Sequence, residues 1–442
     1  MNVSFVSLGC DKNRVNTEQM MALCLQAGIT VQEDCPGSDV VVINTCGFID
    51  SAKSEAIDTI LSAAQLKDAG EIQKILVTGC LSQRYQADIL EELPEIDGIM
   101  GTGCFGDIVP ALEQVMEGRE CRHFADINGP VEELPRVLST PRHYAYLRIA
   151  EGCSNRCAYC VIPSLRGNYR SRRMEDILEE ARGLAESGVK ELNLVAQDTT
   201  KYGQDLYGEY SLDKLLTELC KIDGFHWIRV LYGYPDRVTD GLLEVMAREP
   251  KVVKYIDLPL QHASGRVLKE MNRKGDFDSL CALMQRIRDK VPGVVLRTTL
   301  IAGFPGETEE DFEQLCKFVR TVRFERLGCF AYSQEEDTPA GEREDQLDPE
   351  LRMHRADLIM EEQMDIAFEK GRELIGQKME VLVEGYDEDQ QMYYGRSYMD
   401  APDIDTRVSF LTEREEVRPG EFIWVEVLDS VGYDLVGREI LA

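Results

Sequence analysis

The 442-residue sequence predicts an α/β protein in three parts: an open parallel α/β sheet domain, a partial (β/α)6 barrel and a small antiparallel β-barrel. Three observations carry this. Apolar runs alternate with periodic helical stretches as far as about residue 370, a proline-rich stretch interrupts the alternation once, and short β-rich runs follow one long helix near the C-terminus. Hydrophobic residues make up 43% and charged residues 29%, enough apolar material for several cores. No run approaches the roughly 20 apolar residues of a membrane span, and Met1 to Cys10 lacks a basic region followed by an apolar run. These features point to the cytoplasm.

Residues 1–125 read as strand, helix, strand, helix. The strands are Val3 to Leu8, Val40 to Asn44 and Lys74 to Thr78, near-continuous apolar runs of the kind a parallel sheet buries on both faces. Cys10, Cys46 and Cys80 follow them directly. In an open α/β sheet ligands bind beyond the carboxyl ends of the strands, so these three cysteines can converge though far apart in sequence. Structural thiols that merely end strands are the alternative. Fourteen cysteines in a chain of this length favour reduced thiols that bind metal or do chemistry over a disulfide framework.

Residues 126–142, with Pro130, Pro135 and Pro141, read as a linker. Residues 143–372 hold six strand candidates: Ala145 to Ala150, Glu191 to Ala196, Trp227 to Tyr232, Tyr255 to Leu260, Val294 to Ile301 and Arg326 to Tyr332. Helices over Met174 to Glu186, Leu212 to Lys221, Asp276 to Asp289 and Glu309 to Thr321 separate them, with Asp276 and Thr308 as N-caps. Six strand-helix units suggest a partial barrel. A long helix over Glu350 to Gly371 leads into residues 373–442, whose β-runs are punctuated by Gly385, Gly395, Pro402, Gly420 and Gly432.

The chemistry concentrates in Cys153-Ser-Asn-Arg-Cys157-Ala-Tyr-Cys160, after the first barrel strand and on the face where such barrels keep their active sites. A cubane has four irons and this loop offers three thiolates, which leaves one iron open to substrate. A zinc site, expected to bring paired CxxC motifs and a fourth Cys or His, and inert buried thiols are the alternatives.

The CxxxCxxC spacing, with Tyr159 as the aromatic residue before the last cysteine, resembles the radical S-adenosylmethionine superfamily. The resemblance implies a [4Fe-4S] cluster on Cys153, Cys157 and Cys160, whose open iron is chelated by S-adenosylmethionine and whose electron cleaves the sulfonium to a 5′-deoxyadenosyl radical. The order of the three parts is similar to that of the methylthiotransferases, which join an N-terminal three-cysteine domain, a radical domain and a β-barrel called TRAM. That likeness implies a second [4Fe-4S] cluster on Cys10, Cys46 and Cys80, carrying the inserted sulfur. Ser7-Leu8-Gly9-Cys10-Asp11-Lys12-Asn13 and Asn16-Thr17-Glu18 resemble the RimO enzymes, which modify a small-subunit ribosomal protein; tRNA-modifying relatives usually carry Gln-Met where this chain has Asp11-Lys12.

Leu194 to Asp198, Leu258 to Ser264 and Thr299 to Glu307 also match the branch, and all end strands at the same mouth. Gln197 and Gly303, with Tyr159, are the expected cofactor contacts. His262 is either a satisfied hydrogen-bonding residue or a catalytic one, and Arg297 reads as a structural ion pair. The other eight cysteines receive no function.

A net charge of −31 repels phosphate backbones. Residues 375–442 hold sixteen Asp or Glu against six Lys or Arg, a net of −10, with clusters at Asp387-Glu388-Asp389, Asp403 with Asp405, and Glu413 with Glu415-Glu416. Such a module fits a basic protein better than RNA. The expected reaction is insertion of a methylthio group at the β-carbon of an aspartate in ribosomal protein uS12, with a flavodoxin or ferredoxin as electron donor. The rival readings are the same reaction on tRNA adenosine and a two-cluster electron carrier.

Overall fold

The computed structural model describes residues 1–86 and 88–441. Strands β1 (Asn2–Ser7), β2 (Thr30–Gln32), β3 (Val40–Thr45), β4 (Lys74–Gly79), β5 (Gly98–Met100) and β6 (Cys121–His123) form one parallel sheet in the order β2-β1-β3-β4-β5-β6. Alternate residues go to opposite faces. Val40 and Val42 pack with Met20, Ile108 and Leu112, while Val41 and Ile43 pack with Ala56, Ile60 and Ala63. The sequence reading found the three central strands and missed β2, β5 and β6, which at three residues each are too short to show a pattern.

The central part carries β7 (Tyr144–Arg148), a two-stranded ribbon of β8 (Ala150–Glu151) and β9 (Arg170–Ser171), then β10 (Glu191–Val195), β11 (Trp227–Val230), β12 (Tyr255–Asp257), β13 (Val295–Ala302) and β14 (Arg326–Ala331). All six parallel strands of this part were anticipated, the three-residue β12 as part of the longer apolar run Tyr255 to Leu260. Their ladder is two parallel halves, β7-β10-β11 and β12-β13-β14, rather than one continuous sheet. Backbone bonds stitch the halves together: Gly233 donates to Asp257 O at 2.8 Å and Val253 to Ile228 O at 3.0 Å. Asp276 and Thr308 cap their helices with reciprocal side-chain bonds, as their positions predict. Among the described residues no helix is long and apolar enough to cross a membrane.

The outer strands of the two halves are β7 and β14. The helix Asp11–Gln26 lies against β7, placing Val15 among Tyr146, Val195 and Leu231 inside the barrel. The stretch 126–142 has no helix or strand but is tied down: Arg136 Nε donates to Glu18 Oε2 at 2.6 Å, and Ser139 N donates to Glu18 Oε1 at 2.7 Å.

After the helix Pro349–Leu374, strands β15 (Lys378–Asp387), β16 (Met392–Ser397), β17 (Val408–Leu411), β18 (Phe422–Val431) and β19 (Asp434–Glu439) close into a barrel in the order β15-β16-β17-β19-β18. One correction applies to the expected antiparallel barrel: β17 and β19 pair in parallel, because β19 returns from β18 on the far side of β17.

The loop 398–405, between β16 and β17, enters the floor of the central barrel. Arg396, just before it, binds Glu191 Oε2 at 2.6 Å, and Arg229 reaches Glu191 Oε1 at 2.9 Å, all with side chains at most 3% exposed. Asp400 pairs with Arg326 at 2.5 Å, and Asp405 accepts from Tyr255 at 2.5 Å. Removing one partner of such a group leaves an uncompensated buried charge. Arg396→Ala is expected to destabilise the protein by about 3–5 kcal/mol, read as a lower urea midpoint in the fluorescence of Trp227, which packs on Phe422 at this interface.

Candidate active site

Cys10 ends the β1 turn as the N-cap of the helix Asp11–Gln26, Cys46 follows β3, and Cys80 opens the helix Cys80–Tyr85 after β4. Because β1, β3 and β4 are neighbours in the sheet, their ends stand only about 4.8 Å apart per strand, so three residues distant in sequence meet at one edge. Gly9 makes the approach possible: its φ is +81°, and a Cβ there would lie 2.6 Å from Cys46 Cβ.

Cys153, Cys157 and Cys160 face these three across a single cavity of about 340 Å³. All six cysteines line it, with Tyr159, Gln197, Lys12, Arg166, Tyr232, Gln261 and Arg273 among the other walls. The two sets predicted from separate stretches thus share one chamber. Among the described residues no three His, Cys, Asp or Glu side chains are grouped to hold a single metal ion.

Electrostatics follow from burial. Burial pushes the Cys46 thiol up to about 12, reinforced by Cys80 and Cys10, and pushes Cys153 up to about 11. Cys160 and Cys80 are also raised by burial. Arg166 stands between the sets. Burial alone would lower its pKa, but Cys80 and Glu151 hold it above the ordinary value. Its guanidinium donates to Asn16 Oδ1 at 2.8 Å and to Asn13 Oδ1, and lies 3.6 Å from Glu151. Asn13 in turn donates to Leu8 O at 3.0 Å and Thr45 O at 2.9 Å, fixing the Cys10 and Cys46 loops. On the other side Arg273 donates to Pro259 O at 2.6 Å, with Cys157 Sγ 3.7 Å away.

Gln197 and Gln261 both line the cavity, and the Oε1 of each is buried without a hydrogen-bond partner. Gln197 Nε2 donates to Glu151 Oε1 at 2.8 Å. Orphaned acceptors in a site this enclosed fit a polar ligand, as does the aromatic wall of Tyr159. Asp198 is occupied elsewhere, accepting from Asn155 at 3.0 Å and Arg237 at 2.6 Å.

Gly303 is not among the residues lining the cavity; its φ is +76°, and a Cβ there would sit 2.6–2.9 Å from Arg352 of the long helix. Its glycine serves close packing of that helix on the barrel. His262 is wholly buried, accepting from Ser264 N at 2.9 Å and bonded to Glu307 at 3.2 Å, the satisfied structural alternative. Arg297 is the ion pair expected, 2.9 Å from Asp257. Of the three acidic clusters, Asp405 faces inward at 4% side-chain exposure, 3.4 Å from Arg297. Arg166 and Arg273 were not singled out from sequence, and Lys12 entered only through the Asp11-Lys12 resemblance; buried cations beside cysteines leave no spacing signal.

The architecture and the paired cysteine sets define a radical S-adenosylmethionine enzyme with flanking accessory domains. Family models match accordingly: the Radical SAM superfamily over residues 147–319, Uncharacterized protein family UPF0004 over 2–101 and the TRAM domain over 375–440. Similar relatives include "Ribosomal protein uS12 methylthiotransferase RimO" of Clostridioides difficile (strain 630), 48% identical over 99% of this chain and 98% of the relative, and that of Lachnoclostridium phytofermentans, 46% identical over 99% of each. The chain belongs to the RimO family of radical S-adenosylmethionine methylthiotransferases. Among solved structures, the fold is similar to the radical S-adenosylmethionine methyltransferase TsrM of Kitasatospora setae (TM-score 0.57, 13% identity, 77% of each chain) and to the cobalamin-dependent radical enzyme OxsB (TM-score 0.52, 13% identity, 81% of this chain and 56% of that one).

Two outcomes check this geometry. Gly303→Ala is expected to lower stability by about 2 kcal/mol through its left-handed backbone and the Arg352 contact, while leaving the Kd for S-adenosylmethionine unchanged in equilibrium dialysis. Arg166→Met should loosen the seam between the cysteine sets, raising amide hydrogen exchange at Asn13 and Asn16 by tenfold or more.

Proposed function

We propose that the protein inserts a methylthio group at the β-carbon of an aspartate in ribosomal protein uS12. In this reading Cys153, Cys157 and Cys160 hold the reducing [4Fe-4S] cluster, and Cys10, Cys46 and Cys80 hold a second one that presents the sulfur. The shared chamber carries the reading: hydrogen abstraction and sulfur insertion must act on one carbon, and both cysteine sets line one cavity. When bound, the clusters and S-adenosylmethionine supply the electron, the radical, the sulfur and the methyl group.

The chain's own residues bind and enclose. In this reading Tyr159 and Gln197 hold S-adenosylmethionine beside the Cys153 loop; both line the cavity, and the unpartnered oxygen of Gln197 supports the role. Arg273 and Tyr234, whose ring lies 4.3 Å below that guanidinium, cover the flank of Cys157 and exclude water. A second cleft of about 660 Å³ shares Phe48, Tyr159 and Gln261 with the chamber and runs between Ile49 and the exposed Phe330 and Met353, a path for a substrate loop. The acidic tips at Glu388 and Asp389 and at Glu413, Glu415 and Glu416 face solvent and suit a basic partner. A flavodoxin or ferredoxin would bring the electrons, in the cytoplasm.

Anaerobic incubation with ribosomes, reductant and S-adenosylmethionine should add methylthio mass to uS12 and none to tRNA. The opposite partition would overturn the substrate assignment. Reconstitution should yield two cubanes in the intact chain and one in the Cys153→Ala, Cys157→Ala, Cys160→Ala variant; one in the intact chain would remove the sulfur-carrying site.

A further inference from the structure

Lys12 is 7% exposed and lines the chamber, yet among the described residues its ammonium has neither an ion-pair nor a hydrogen-bond partner. It rests 3.5 Å over the ring of Tyr232. An ammonium turned from bulk water into a chamber is stabilised by an anion or a set of acceptors there, and a single aromatic face replaces only part of its hydration. The neighbouring carboxylate is engaged: Asp11 Oδ2 accepts from Tyr232 OH at 2.9 Å.

The mount is rigid. Tyr232 sits at φ +59°, its backbone N–H donates to Asp257 Oδ2 at 2.9 Å, and Asp257 is held by Arg297 at 2.9 Å. The other cations of the chamber wall are committed or stand at its solvent-exposed rim. Arg166 is bound to Asn13 and Asn16, Arg273 to Pro259 O, and Arg156 is exposed. Among the described residues Lys12 is therefore the buried cation of the chamber that no acceptor claims, and Gln197 and Gln261 add two unclaimed amide oxygens. An aspartyl residue within a peptide brings the complement of both: an anionic side chain and backbone N–H donors.

We propose that Lys12 is the substrate-recognition residue of the chamber, its ammonium binding the carboxylate of the target aspartate and so presenting the adjacent β-carbon between the two cysteine sets. This rests on the aspartate reading above. Charge-assisted pairing in an enclosed site gives discrimination between aspartate and its neutral isostere of about tenfold or more.

The test is a cycle of equilibrium binding measurements on the reconstituted full-length enzyme, kept anaerobic and without reductant. Wild-type protein and Lys12→Met are titrated with uS12 and with uS12 whose target aspartate is replaced by asparagine. The wild type is expected to bind the aspartate form about tenfold tighter, Lys12→Met to bind both forms equally, and Lys12→Arg to recover part of the preference. Iron and sulfide content should equal that of the wild type in both variants. Equal weakening of both forms by Lys12→Met, with the preference retained, overturns the assignment. So does loss of iron, which would give the ammonium to the cluster, or a raised Kd for S-adenosylmethionine, which would give it to the cofactor. A wild-type enzyme that modifies uS12 while Lys12→Met keeps its preference removes only the role of Lys12; a wild type that never modifies uS12 removes the proposed function itself.

Discussion

The buried guanidinium of Arg166 is the interaction on which the chamber depends. It comes from the central barrel, yet its hydrogen-bond partners, Asn13 and Asn16, belong to the N-terminal domain, and Cys80 and Glu151 stabilise its charge from either side. A solvated arginine could satisfy itself with water. This one, 3% exposed, can be satisfied only if the two domains meet in one register. The same contact sets the distance between the two cysteine sets, so domain assembly and active-site assembly are one event. A second anchor, Glu335 with Lys53 and Arg84, holds the same domains at the opposite rim.

Charge is arranged by place rather than by amount. The C-terminal barrel is strongly acidic in composition, but part of that acidity is internal: Asp400 and Asp405 compensate Arg326 and Arg297 at the floor of the central barrel. What remains outward, around Glu388 and Glu415, is the fraction available to a partner. Net charge alone therefore overstates the outward field of this module and misses its structural use.

Much of this was legible in the sequence because it is periodic or local. The long strands announce themselves as apolar runs, the caps at Asp276 and Thr308 as side-chain chemistry at fixed offsets, and the Cys153 loop as three thiols within eight residues. Cys10, Cys46 and Cys80 were legible because strand order in a parallel sheet converts sequence distance into adjacency. The rest depends on pairs that exist only after folding. Arg166 meets Asn13 across 153 residues and Arg396 meets Glu191 across 205, with no pattern to mark either. At Gly303 the limit is related: a glycine at a strand end signals close approach but not what approaches, and Arg352 is what packs there.

The loop at 398–405 changes how the chain should be thought of as a set of parts. In sequence the C-terminal barrel looks like a detachable unit joined by one long helix. In the folded molecule its residues complete the polar floor of the catalytic barrel, since Glu191 takes Arg229 on one oxygen and Arg396 on the other. Exchange of this domain between related enzymes, by recombination or by design, would have to carry the receiving surface with it. The partnership constrains the evolution of substrate choice, because a new recognition module can be acquired only by a catalytic domain already shaped to accept its floor.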